Sequence, residues 1–499
     1  MNKNQTSPVE QAEATAETGL ALRVRSALAW RWGSQVLAQV ITWASTIAVV
    51  RLLSPADYGL FAMSQAVVTA LAFLNGQSFA TSLIQTDRID KRRIGQVFGL
   101  LLLLNGTLAT IQFLFAPVAA RYYGEPLIAD MLRVQSILFL TIPFSALPGE
   151  LLAREIDFKK PGIVNLASAA VGAASALTLA WLGFGVWALV YAPILMFVTR
   201  AIGINIATRA LVMPVFDFRG AGDLVTFGGA LTICQLFWIV QSQSDIVIAG
   251  RAFAPHELGL YSESLFLTLI ITGRFLPPIN EVAFPTYAEL HKKGRPLGEF
   301  FLRIQRMVLL IVAPAYVGLS LVAAPAVDTL FGPKWTAMAP IVAGLALAMP
   351  AFALQIVCSP ATNGMGNPRT YLKTNGFGAV LFPILFLFGI TYGPTGLVYA
   401  WWIGAPTLLA FTLALTLPQI GVTWRSLIEA WTPAILATAA MAAAVLAVRA
   451  HLPAMPAPAA LALLAATGAI AYLATLLVIA RPLLGEITEF VMQRKIAAA

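Results

Sequence analysis

The stretch Arg51-Leu-Leu-Ser-Pro55-Ala-Asp57-Tyr-Gly59-Leu60-Phe61-Ala-Met-Ser64 is echoed 200 residues later by Arg251-Ala-Phe-Ala-Pro255-His-Glu257-Leu-Gly259-Leu260-Tyr261-Ser-Glu-Ser264. Upstream at the same spacing, Gln35 pairs with Gln235 and Thr42 with Ser242. An Arg, a Pro, an acid, a Gly-Leu pair, an aromatic and a Ser held in one register mark an internal duplication. The Arg lies at the end of one helix, the Pro ends the loop and opens the next helix, and the acid sits in that helix's first turn, where the dipole favours negative charge. The motif therefore predicts a tight helix-loop-helix corner in each copy. Arg51 and Arg251 keep two readings there: snorkelling beside helix-terminal carbonyls, or contact with a ligand.

Outward from the corners the chain is apolar: 59% of its 499 residues are hydrophobic and 11% charged, with a mean hydropathy of +0.80. No single soluble core could absorb that much apolar surface, so lipid must solvate most of it. Runs such as Phe98 to Pro117, Ile163 to Leu182, Val308 to Ala326 and Ala459 to Ile479 have the length of about 20 residues that a helix needs to cross about 30 Å of hydrocarbon. The expected class is an all-α integral membrane protein with about fourteen transmembrane helices, 127–148 as the fourth and 258–284 as the eighth. The two copies open at the first and seventh spans, so each repeat holds six helices of one orientation. That is a parallel repeat, with a pseudo-two-fold axis along the membrane normal. The expected divisions are a cytoplasmic tail 1–26, a first lobe 27–208, a linker 209–223, a second lobe 224–418, two further helices 419–482 and a cytoplasmic tail 483–499.

The formal net charge of +9 need not mean nucleic acid. With the N-terminus inside, about 25 of the 32 Lys and Arg fall on cytoplasmic segments and about 5 on outer ones, the asymmetry that sets topology. Both termini then come out cytoplasmic. Cys234 and Cys358 fall inside spans without metal-like or disulfide-like spacing, and read as small buried residues.

Charged and polar residues within spans are the best site candidates, because each is costly in lipid unless it meets a partner or a wet cavity. Glu263, Arg274 and Glu281, spaced 11 and 7 apart, share one stripe of the eighth span, although Pro277 and Pro278 are expected to interrupt the helix before Glu281. In the first span Arg31, Gln35, Gln39, Thr42 and Thr46 share a face; in the seventh Gln235, Ser242 and Asp245 take the related one. These faces read either as the lining of a cavity or as hydrogen-bond glue between helices. For Arg133 in the fourth span and Arg274 in the eighth, the cost of the charge favours function. Asp245, Glu263 and Glu281 are the candidates for proton or sodium coupling, or for structural pairing. His256, His291 and His451 have no neighbouring second ligand in the sequence, no phosphate loop is present, and Gly364-Met-Gly366-Asn-Pro368 reads as a turn, so no catalytic or metal site is expected.

The first-span polar stripe running into Arg51 to Gly59, its echo at Asp245 to Tyr261, the basic Asp87 to Arg93 loop and the Asn363 to Pro368 segment together resemble the polysaccharide transporters of the MOP exporter superfamily, the Wzx-type flippases. That resemblance implies two six-helix lobes in a V around a cationic cavity, two extra C-terminal helices and alternating access. It implies an undecaprenyl-diphosphate-linked oligosaccharide as cargo, moved to the periplasmic leaflet of the inner membrane for lipopolysaccharide, capsule or exopolysaccharide synthesis. On that basis Arg31, Arg133, Arg251 and Arg274 are nominated as the cationic cavity residues, with Gln35, Gln39 and Gln235 beside them; Arg suits a diphosphate because it can bind it bidentately. No cofactor beyond a coupling H+ or Na+ is expected, and the expected partners are membrane lipids and the pathway's polymerase, with the chain as a monomer and no nucleic acid. Two rivals stand beside it. A membrane-embedded polymerase or glycosyltransferase is disfavoured by outer loops of only about ten residues. A multidrug exporter of the same superfamily is disfavoured by the last two spans and by the Arg-containing stripes.

Overall fold

The computed structural model describes residues 30, 33–76, 91–154, 158–208, 212–217 and 222–479. Arg31, the tails 1–26 and 483–499, and the side chain of Gln235 lie outside the described residues. No strand occurs among the described residues, as expected where lipid leaves each backbone segment to satisfy its own polar groups.

Two compact units divide the chain, residues 1–235 and 236–499. The first holds α1 (Gly33–Leu52), α2 (Pro55–Ala72), α3 (Lys91–Tyr123), α4 (Leu127–Gln135), α5 (Ile137–Arg154), α6 (Lys159–Trp181), α7 (Val186–Thr208) and the start of α8 (Gly222–Ala252). The second holds the rest of α8, then α9 (Pro255–Lys292), α10 (Gly298–Leu321), α11 (Ala323–Leu330), α12 (Ala339–Ile356), α13 (Ser359–Gly364), α14 (Pro368–Gly389), α15 (Gly393–Ile420), α16 (Trp424–Ala450) and α17 (Ala457–Ile479). Among the described residues, eleven stretches are long and apolar enough to cross a membrane, with Pro368–Ile420 counted once although it folds into α14 and α15. Counting those two separately and adding α2 and α8 gives fourteen long helices. In the second unit, α16 and α17 pack against α10: the Tyr472 hydroxyl donates to Leu310 O at 2.7 Å and Arg449 to Leu321 O at 3.2 Å.

The two quoted corners take the same local form. In each, a helix ends at residue 52 or 252, two linking residues follow, and the next helix begins on a proline. Leu53 N–H bonds to Val49 O at 3.0 Å and Phe253 N–H to Ala249 O at 2.8 Å. Gly59 and Gly259 are both buried, as are Ser64 and Ser264. The caps differ. In the first corner Ser54 and Asp57 bond reciprocally, with Ser54 N–H on Asp57 Oδ2 at 2.9 Å and Asp57 N–H on Ser54 Oγ at 3.3 Å, a capping box. In the second, Ala254 at the same place supplies no side-chain cap.

Part of the expected linker has a fixed seat in the first unit. Residues 212–217 run extended along the start of α3, where Val215 N–H donates to Gly95 O at 2.8 Å and Gln96 Nε2 to Asp217 O at 2.6 Å. Arg92 closes the contact on the Asp217 carboxylate at 2.6 Å. Gly95 and Gly99 make the seat available, since a Cβ on Gly99 would fall 2.5 Å from Val215 O and one on Gly95 2.8 Å from Met213 O. Close backbone approach thus requires glycine at both positions.

Two expectations change. Pro277 and Pro278 do not interrupt the eighth span: α9 runs unbroken from Pro255 to Lys292, with Pro277, Pro278 and Pro285 inside it. A broken turn in lipid finds no water, so a helix that loses single bonds at its prolines is preferred to one that stops. The fourth span, expected as one helix, is instead divided at Ser136 into α4 and α5. The helical bond persists across the division, where Ser136 N–H donates to Leu132 O at 3.0 Å; the same carbonyl also accepts from Gln112 Nε2 at 2.8 Å, and Ser136 Oγ donates to Arg133 O at 2.6 Å.

Candidate functional site

In the first unit the polar face of α1 is only partly available. Gln35 is exposed and Gln39 half-buried. Thr42 and Thr46 turn their hydroxyls back onto their own helix, to Ala38 O at 2.8 Å and Thr42 O at 2.9 Å. Ser45 of the same helix reaches a neighbour, donating to Ala173 O of α6 at 3.2 Å. Arg133 ends the nine-residue α4, 3.2 Å from Asp130 Oδ1 and with its guanidinium 5.7 Å from the Phe113 ring centroid.

The second unit carries the densest polar construction. Asp245 is 1% exposed on α8. Its Oδ1 accepts from the Ile246 N–H at 2.8 Å and its Oδ2 from the Tyr261 hydroxyl at 2.9 Å. The Tyr261 oxygen in turn accepts from Trp401 Nε1 at 3.0 Å. The chain of donation therefore runs from the Trp401 indole through the tyrosine to the carboxylate. Phe382, Phe352 and Phe386 surround Trp401, with ring centroids at 4.9, 5.5 and 6.0 Å, and keep water from the network. One turn before Asp245, Gln241 is also buried, beside Gly378 of α14, and its Oε1 has no hydrogen-bond partner among the described residues. No cation pairs with Asp245 among the described residues. A buried carboxylate held only by neutral donors is costly, and a proton or a small cation would relieve that cost.

On α9 the three charges lie along one unbroken helix, yet no ion pair joins them. Glu263 is half-buried, while Arg274 and Glu281 are exposed. A helix of 38 residues is about 57 Å long against about 30 Å of hydrocarbon. Arg274 therefore lies about 28 Å along α9 from Pro255, close to the midpoint of the helix. Arg251 is exposed at the corner. Arg31 and the Gln235 side chain cannot be placed among these groups, since they lie outside the described residues. The described residues contain no group of three His, Cys, Asp or Glu that could hold a metal.

The structure thus joins Asp245 to Tyr261, a residue the sequence offered only as part of the corner motif, and to Trp401, which it did not single out. Gln241 was legible in principle, because it precedes Asp245 by four residues and so shares its face. Trp401 carried no signal: its partner lies 140 residues away.

A family model described as polysaccharide biosynthesis protein matches residues 48–340. Among curated relatives, the succinoglycan biosynthesis transport protein ExoT of Rhizobium meliloti is 28% identical over 67% of this chain and 66% of its own length. The teichuronic acid biosynthesis protein TuaB of Bacillus subtilis is 24% identical over 54% of this chain and 56% of its own. The lipopolysaccharide biosynthesis protein WzxC of Escherichia coli is 21% identical, over 78% and 80%. The chain therefore spans slightly less than two thirds of the first of these relatives and just over half of the second. Among solved structures, the lipid II flippase MurJ in an inward closed conformation superposes with a TM-score of 0.73 at 12% identity, over 90% of this chain and 98% of that one. An inward-facing multidrug resistance MATE family transporter of the MOP superfamily gives 0.62 at 17% identity, over 77% and 94%. At these identities the likeness is one of fold. With the family model covering more than half of its length, the chain belongs to the polysaccharide biosynthesis protein family and is a multi-pass membrane protein with the fold of MOP-superfamily transporters.

Proposed function

We propose that this protein is a flippase of the bacterial inner membrane, carrying an undecaprenyl-diphosphate-linked oligosaccharide from the cytoplasmic to the periplasmic leaflet by alternating access, for lipopolysaccharide, capsule or exopolysaccharide synthesis. The family match carries this reading, and the chain's similarity to ExoT, a succinoglycan biosynthesis transport protein, supports its direction toward transport and away from catalysis. Arg274 adds the chemistry: an exposed guanidinium on a membrane helix, with no acidic partner among the described residues, suits the phosphates of such a cargo. Asp245 is proposed as the carrier of the exchangeable H+ or Na+. Deleting the protein should make a diphosphate-linked saccharide accumulate on the cytoplasmic face, and radiolabelled lipid extracts with leaflet-specific digestion measure it. Unchanged lipid intermediates alongside lost polymer would point to a polymerase instead.

The same reading places both termini in the cytoplasm. Reporter fusions after Lys160, Lys293 and Arg494 are expected to read cytoplasm, and fusions near Gly124, Ala254 and Pro456 periplasm. A periplasmic C-terminus would overturn the even number of spans.

A further inference from the structure

At the start of α6, within the first unit, Lys159 sits with its ammonium 5.7 Å from the ring centroid of Trp30. Beside them opens a cavity of about 310 Å³ lined by Trp30, Gly33, Ser34, Leu37 and Leu166. Its geometry follows from the two helices that bound it. Lys159 and Leu166 are seven residues apart on α6, so they lie along one stripe that spans about 10 Å of depth. The upper and lower ends differ in character: a lysine over an indole at one, two leucines at the other. Gly162 lets α6 come close to α1, since a Cβ there would lie 2.9 Å from Ser34 Oγ, while a Cβ on Gly33 would meet nothing within 4 Å. The result is a groove with a cationic mouth, followed by an apolar channel that runs inward along the helices.

We propose that this groove binds one molecule of an anionic glycerophospholipid, with its phosphate at Lys159 and one acyl chain along Gly33, Leu37 and Leu166. The charge at the mouth selects for an anionic headgroup, and basic clefts between membrane helices on the cytoplasmic side are suited to such headgroups. The Trp30 indole holds the lysine in place by a cation–π contact and itself favours the headgroup level. The site does not depend on the cargo proposed above, and none of its residues belongs to the nominated cationic set.

Native mass spectrometry of the full chain in detergent, delipidated and then titrated with phosphatidylglycerol or with phosphatidylcholine of the same chains, tests the assignment. The wild type should retain one phosphatidylglycerol with about fivefold preference, the size expected of one lysine near a headgroup. Lys159→Gln should erase that preference. Gly33→Leu should remove one bound lipid without lowering the unfolding temperature, because the added side chain enters open space. Equal retention of the two lipids by the wild type would overturn the proposal, as would an unchanged lipid count in Gly33→Leu. One-for-one displacement of phosphatidylglycerol by undecaprenyl phosphate would overturn it too, by assigning the groove to the carrier of the cargo.

Discussion

A strain carrying Arg274→Ala should make normal amounts of inserted protein and export about a hundredfold less polysaccharide per molecule, the equivalent of about 2.7 kcal/mol of lost charge-assisted hydrogen bonding. The cause is desolvation. A diphosphate entering the protein sheds water, and its oxygens need donors that hold their charge at every pH the cell meets; a guanidinium supplies them in a planar fork. Arg274 is exposed on α9 and is not ion-paired with Glu263 or Glu281, so its removal orphans no buried carboxylate and should spare folding. Arg274→Lys keeps the charge but loses the bidentate geometry, and intermediate export is expected. Surface polysaccharide divided by membrane-inserted protein is the quantity to measure. Full export by the alanine variant would remove Arg274 from the transport path, and loss of the protein itself would show that the residue serves the fold.

The second large effect is expected at Asp245. Asp245→Asn preserves shape and the bond from Ile246 but abolishes the negative charge, so transport driven by an imposed H+ or Na+ gradient in vesicles should fall by about 5- to 150-fold, the range of a coupling free energy of about 1–3 kcal/mol. Tyr261→Phe provides the contrast. It leaves the carboxylate in place but removes one donor to Asp245 and the acceptor for the Trp401 indole, which should lower stability by about 1–3 kcal/mol while the gradient dependence persists. A calorimetric Tm with a gradient-driven transport rate on each variant separates the two effects. If Asp245→Asn responds to both gradients as the wild type does, the carboxylate is a structural acceptor only.

What the sequence disclosed depended on how local the physics was. The fourteen long helices follow from hydropathy because burial in lipid is a property of each segment alone, and the corners at Pro55 and Pro255 follow from residues within a few positions of one another. The division of the fourth span at Ser136 did not follow, since one of the contacts beside it comes from another helix, with Gln112 of α3 donating to the Leu132 carbonyl. The seat of residues 212–217 was hidden for a similar reason: Gly95 and Gly99 look like ordinary small residues of a membrane helix until a distant segment is found lying on them. At the site, the acidic candidates were visible as charges in apolar surroundings. Their chemistry was not, because Trp401 acts on Asp245 only through Tyr261, and each of those contacts joins separate helices.

The two corners also show one bend fastened by different means. One shape is fastened in two ways, by a serine and an aspartate gripping each other at residues 54 and 57, and without any capping side chain at Ala254, where proline opens the helix in both. The bend is thus specified more than once over, and a corner without a side-chain cap, worth about 1 kcal/mol, keeps the same form. Such redundancy leaves the residue before the proline open to substitution without moving the helices that meet there.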